Sequence, residues 1–226
     1  MLEQHPEPNS KASYLVNLAA IERIQLRLDL SWERISTALE IAQTQNAMPQ
    51  VASRALVLAD MAIERHWFDK AKSYLELATK HLTPQLDSEL RLRQAHLALH
   101  QQRPRQTLDL LIDQTFINDD LEFRLALMAF AYLDLKQPKA AKVLLDIQAS
   151  SIYAPYVQAA RIQTHAVLGT LESSHFEPPP SQDALPFVRS ALYQAFVQHH
   201  PEKNKFTKEA TRLEKMLREG AFKKPE

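Results

Sequence analysis

The stretch 52–85, ASRALVLADMAIERHWFDKAKSYLELATKHLTPQ, decides the fold. Ala59 and Ala62 are followed by Ala71, Leu75 and Ala78, and Pro84 closes the pattern. The same arrangement returns twice. Ala95 and Ala98 precede Thr107, Leu111 and Gln114; Ala129 and Tyr132 precede Ala141, Leu145 and Gln148. The first small residue stands 12 positions before the second group each time, and the offsets between copies are 34 to 36. A period of this size predicts stacked helical hairpins. Neither helix of such a hairpin buries its apolar face alone, and small residues where the two cross let the backbones approach.

Outward from this core, apolar spacing and punctuation predict a helix from about Lys11 to Leu28, with Leu15, Leu18, Ala19 and Leu26 on one side. Ser31 reads as the N-cap of a second helix ending near Gln45. Val51–Arg65, Trp67–Leu82 and Glu89–Gln101 follow. Trp32 to Pro49 and Trp67 to Pro84 are both 17 apart, which suggests a degenerate repeat ahead of the clear ones. Pro104, Pro138 and Pro155 fit first-turn positions, where the missing N–H costs nothing. They open helices reaching about Gln114, Gln148 and Leu168, and Asn118, Asp119 or Asp120 caps another that ends near Leu135. Ala62, Ala98, Tyr132 and Ala166 form one column. Residues 169–184, with Pro178, Pro179 and Pro180, have almost no periodicity and read as an extended connector. Helices over Leu185–His200 and Pro201–Arg218 follow, with Phe187, Tyr193 and Phe196 expected to dock onto the end of the array.

Composition excludes several classes. Lys plus Arg equals Asp plus Glu at 27 each, so no net field draws the chain to nucleic acid or anionic lipid. With only 2 glycines, left-handed turns and phosphate-cradling loops are expected to be scarce. The absence of cysteine excludes disulfides, thiolate zinc sites and a cysteine nucleophile. Residues 1–8 lack the pattern of a signal peptide, and no apolar run approaches the roughly 18 residues of a membrane span. A soluble, cytoplasmic protein is the expectation.

The columns resemble the tetratricopeptide repeat (TPR), with residues 52–85 matching best and 88–121 and 122–155 more loosely. Thr107, Gln114 and Gln148 depart from its small-residue preference, and its usual aromatic in the first helix appears only as Tyr132. The resemblance implies an all-α, right-handed α-solenoid of antiparallel helix hairpins, with a C-terminal helical pair. The expected divisions are a disordered lead at 1–10, repeats over 11–168, a proline-rich loop over 169–184, the helical pair over 185–220 and a tail at 221–226.

It also implies a concave groove lined by first helices. The family's groove positions fall here on Asp60 and Glu64, on Glu89, Leu92, His96 and His100, on Phe123, Phe130 and Asp134, and on Val157, Ala160 and Thr164, among others. Such a surface lacks the basic set that clamps a carboxylate tail. It suits an apolar helix or an extended peptide. The alternative is that these side chains pack inward or meet solvent.

His96 and His100 stand i, i+4 on one helix, but no carboxylate at ligand spacing completes a metal site, so no metal and no cofactor are expected. Lys205, Lys208, Arg212 and Lys215 form a secondary basic face, interleaved with Glu209 and Glu214, which reads chiefly as a solvated helix surface. No catalytic constellation is recognisable. The expected function is therefore non-enzymatic: an adaptor, assembly factor or chaperone holding another protein, with self-association possible and nucleic acid unlikely as a partner. The rivals are a permanent subunit of a larger assembly and a regulatory region binding a small effector.

If the crossing positions are assigned correctly, Ala71→Leu or Ala95→Leu overpacks a helix contact and lowers stability by about 1–3 kcal/mol. Chemical denaturation of each variant checks this; unchanged midpoints in both would break the register.

Overall fold

The computed structural model describes residues 8–112, 121–176, 184–202 and 204–219. Within them the chain is all-α, with no strand. The helices are α1 (Pro8–Ile24), α2 (Leu28–Thr44), α3 (Met48–Glu64), α4 (Phe68–Lys80), α5 (Asp87–His100), α6 (Pro104–Leu111), α7 (Leu121–Asp134), α8 (Pro138–Leu144), α9 (Ala154–Leu168), α10 (Pro186–His199) and α11 (Asn204–Glu219). They fall into two compact units, one ending at Arg93 and one running from Gln94 to Glu219, so α5 contributes to both. No described helix is long and apolar enough to cross a membrane.

In the first unit α1 packs on α2, α2 on α3 and α3 on α4. Ala19, Ile35, Leu39, Ala42, Val51 and Leu58 form its core. Trp32 meets Trp67 edge-on at 5.4 Å and Tyr74 at 5.8 Å. The guanidinium of Arg65 lies 4.7 Å from the Trp67 ring. In the second unit α7 packs on α6, α8 and α9, α8 on α9, α9 on α10 and α10 on α11. Ala159, Ile162, Phe176, Leu192, Ala195 and Phe196 form a core there.

The crossing within hairpins is visible in two hydrogen bonds. Ser31 Oγ donates to the carbonyl of Ala19 at 2.8 Å, and Thr107 Oγ1 donates to that of Ala95 at 3.3 Å. Both span 12 residues. Ala59 and Ala71, and Ala129 and Ala141, occupy the equivalent positions and are fully buried. Ser31 is thus a crossing residue inside α2, not the N-cap expected. The cap position is Arg27, which makes no side-chain cap bond. Thr107 keeps the pattern because its hydroxyl is satisfied by the facing backbone. The N-terminal hairpin belongs to the same series at an offset of 40, Ala19 to Ala59, because α2 has 17 residues against 13 in α4. The two tryptophans are not equivalent positions: Trp32 lies within α2, whereas Trp67 caps α4.

Scarce glycine does not mean scarce left-handed turns. Leu26, Asn46, His66, Gln102 and Lys136 all adopt positive φ, between 53° and 64°. Each sits just past a helix C-terminus, and the next residue's N–H reaches back five positions: Arg27 to Glu22, Ala47 to Ala42, Trp67 to Ala62, Arg103 to Ala98 and Gln137 to Tyr132. This is the Schellman closure, which satisfies the last helical carbonyls. Gly169 makes the same turn through Thr170 to His165. The column Ala62, Ala98, Tyr132 therefore marks carbonyl acceptors, and its fourth member is His165 rather than Ala166.

Other boundaries shift. α1 begins at Pro8, inside the expected lead, and α8 ends at Leu144, four residues short of Gln148. Pro201 precedes α11 instead of opening it. Residues 173–176 of the expected loop form a 3-10 turn that buries Phe176 against Phe196. The prolines 178–180, the proposed caps at 118–120, Gln114, Gly220 and the tail lie outside the described residues, as do residues 1–7.

A non-glycine residue in the left-handed region costs roughly 1–2 kcal/mol, partly offset by a stiffer unfolded chain. Gln102→Gly, at an exposed turn, should therefore gain about 0.5–1 kcal/mol, and Asn46→Gly less, since asparagine tolerates that region. Equilibrium denaturation of the two variants measures the ordering.

Candidate functional site

The first-helix residues expected to line a groove resolve into two different environments. In the first unit, Asp60 and Glu64 on α3 are buried, as is Arg23 on α1. Arg23 Nη2 donates to Asp60 at 2.8 Å and also to Glu64. Arg93 on α5 lies 3.7 Å from Asp60. On the α2 side, Arg65 pairs with Asp29 at 2.8 Å and Arg34 lies 3.7 Å from Glu22. Helical spacing places Arg23 one turn beyond Ala19, so α1 delivers a cation to the face where α3 presents two carboxylates one turn apart. Burial drives the Glu64 carboxyl up to about 7; Arg23 opposes that rise and Asp60 adds to it. Burial alone would lower Arg23, but Glu64 and Asp60 more than reverse this and hold it above its ordinary value.

Leu92 is fully buried in this unit and Glu89 is half-buried. For three of the expected groove residues, the inward packing named as the alternative describes the side chain. Asp60, Glu64 and Leu92 face protein rather than solvent, because arginines from neighbouring first helices neutralise the acids in place. Neither Arg23 nor Arg93 was singled out from the sequence. The available signal was a charge inside the apolar register of a first helix.

In the second unit the corresponding face is aromatic. His96 on α5 and Phe123 on α7 are fully buried. Phe123 stacks on Tyr153 at 4.6 Å and a 14° tilt. Phe187, from the first turn of α10, inserts among them. Its ring lies 5.3 Å from His96, 5.9 Å from Phe123 and 5.7 Å from Tyr156 of α9. Phe130, half-buried, meets Tyr156 at 4.9 Å. His100 is exposed and touches the His96 ring at 4.9 Å. Asp134 is also exposed, at the end of α7, and partial burial raises its carboxyl while Lys136 pulls it back.

Helix α10 packs on α9 and α11, and from its first turn Phe187 reaches His96 of α5 and Phe123 of α7. His96 and Phe123 are not open to a partner while it does. Phe187 is legible in the sequence as a docking residue, whereas Tyr153 and Tyr156 are not. No group of three or more His, Asp or Glu side chains suited to a metal occurs among the described residues.

On α11, Lys205, Lys208, Arg212 and Lys215 are all exposed, while Ala210, Leu213 and Leu217 are buried. Arg212 pairs with Glu209 at 3.2 Å and Arg218 with Glu214 at 2.6 Å. Glu209 also takes Arg189 of α10 at 3.5 Å. The basic face is thus largely interleaved with acids on the same helix.

No family model, curated protein or solved structure matches the chain.

Because Glu64 holds its proton more tightly folded than unfolded, its contribution is fully present below the unfolded pKa of about 4.3 and is lost as pH rises through about 7. Glu64→Gln should therefore gain on the parent protein across that window, by on the order of 2 kcal/mol. Denaturation midpoints of both proteins between acidic and neutral pH test the sign; a parallel pair of curves would contradict it.

Proposed function

We propose that the protein is a TPR-like helical-repeat module that binds other proteins without catalysing a reaction. It holds a partner helix in trans against the face that carries α10 in cis. The supporting observation is the seat of Phe187. Aromatic rings from three successive first helices, α5, α7 and α9, surround one aromatic side chain from the first turn of α10. A face built this way recognises an amphipathic helix through an aromatic anchor, the arrangement that concentrates binding energy in a few buried contacts. The regular 12-residue crossing with non-glycine turns supports the repeat reading. An adaptor or assembly role follows from a surface of this kind, with α10 as the competitor that a partner must displace.

The test uses the intact chain and its Phe187→Ala variant, which removes the anchor and leaves the nest. Partners captured from native lysate are mapped by cross-linking. The expected result is stronger capture by the variant, with cross-links on α5, α7 and α9. Capture unchanged by the variant, or cross-links confined to the Lys205–Lys215 side of α11, would overturn the reading.

A further inference from the structure

A cavity of about 430 Å³ opens in the second unit between α8, α9 and the 3-10 turn at 173–176. Lys142, Asp146, Arg161, Thr164, His165 and His175 line it, with Val143 and Leu145 as its apolar part. Its volume lies in the ordinary range for small-molecule sites, far larger than a bare ion needs.

Thr164 carries the first clue. Its side chain is wholly buried, yet Oγ1 makes no hydrogen bond to any described residue. Three other helical threonines turn the hydroxyl to the carbonyl four residues back: Thr44 to Glu40, Thr79 to Leu75 and Thr107 to Arg103. A buried hydroxyl without a partner is costly and uncommon, and a ligand atom at that place would complete it.

The second clue is charge. Two permanent cations and two imidazoles share the cavity with one carboxylate, Asp146. Arg161 is held rigidly: Nε and Nη2 donate to the Leu145 carbonyl at 3.0 and 2.8 Å, and Nη2 also reaches that of Ile147. Its Nη1 hydrogens are left for another acceptor. The rings of His165 and His175 lie 4.1 Å apart. Nδ1 of His175 lies 3.0 Å from the Glu172 nitrogen and 3.1 Å from the Glu172 carbonyl oxygen. His165 Nδ1 is 2.8 Å from Thr170 Oγ1. Burial holds His165 below its ordinary pKa, and repulsion from His175 and Lys142 adds to this, while Thr170 and Glu172 oppose it.

We propose that this cavity binds a small organic phosphate, with the phosphoryl oxygens on Lys142, Arg161 and the Thr164 hydroxyl and the organic part against Val143 and Leu145. The donor set favours phosphate over carboxylate. An ammonium, a guanidinium edge, a hydroxyl and two imidazoles match three terminal oxygens bearing up to two charges better than two oxygens bearing one. The site is independent of the Phe187 nest.

Calorimetric titration of the full chain with phenyl phosphate, benzoate and inorganic phosphate tests it, read beside the NMR titration of the His165 and His175 rings. Phenyl phosphate is expected to bind with a dissociation constant between about 1 μM and 1 mM, at least about tenfold more tightly than either other probe, and to raise the pKa of the His165 ring. Lys142→Gln and Thr164→Val should each weaken it by about tenfold. Thr164→Val should melt no lower than the parent, since it removes an unpartnered hydroxyl. No binding by about 10 mM, equal binding of benzoate, or affinity untouched by both variants would overturn the proposal.

Discussion

Everything in this chain depends on how closely two helix backbones can approach at one point in each hairpin. Where the contact is alanine on alanine, at Ala59 with Ala71 and Ala129 with Ala141, the side chains simply leave room. Where a hydroxyl stands there, it must be satisfied without water. Ser31 and Thr107 achieve this by donating to the carbonyl opposite. A net gain of about 1 kcal/mol from such a bond matters less than the penalty of burying it unmade. The Ser31 hydroxyl thus fixes the register of its hairpin more tightly than alanine does, because a shifted helix would strand it, whereas that of Thr107 also reaches the Arg103 carbonyl of its own helix at 3.2 Å.

The two units use the same frame to support different faces. In the first, α1 and α5 bring arginines against the paired carboxylates of α3, which makes a charged interior. Removing one member of such a buried set leaves an uncompensated charge, so the set holds these helices in one arrangement whether or not it adds net stability. In the second, α5, α7 and α9 present aromatic rings, and α10 supplies the ring that fills the space between them. Aromatic contacts tolerate a change of partner better than a buried ion set does, since neither side is left with an orphan charge. The first face is accordingly held by charge and the second by ring packing.

Much of the fold was legible because it rests on small-residue spacing and on proline. The crossing alanines, the first-turn prolines of α6, α8, α9 and α10, and the helix count all follow from them. What was not legible came from two sources. The left-handed turns use leucine, asparagine, histidine, glutamine and lysine, so no composition rule announces them, and an inventory of glycine points the wrong way. The burial of Asp60, Glu64, Leu92, His96 and Phe123 was not legible for a different reason. Position within a repeat places a residue on the first-helix face, but exposure of that face depends on contacts distant in sequence. Phe187 covers His96 across 91 positions, and Arg23 reaches Asp60 across 37. The N-terminal hairpin escaped the 34 to 36 offset only because α2 is longer.

That longer helix carries an implication for how such a chain changes length. Four added residues advance a helix by slightly more than one turn, so the side chains beyond the insertion return to nearly the same azimuth. Ser31, Ile35, Ala38 and Ala42 keep one buried face through the added turn. One or two added residues would rotate that face by about 100° or 200° and carry the apolar row into solvent. Length in this architecture is therefore quantised in turns, and the repeat period is a family of permitted values rather than a single number.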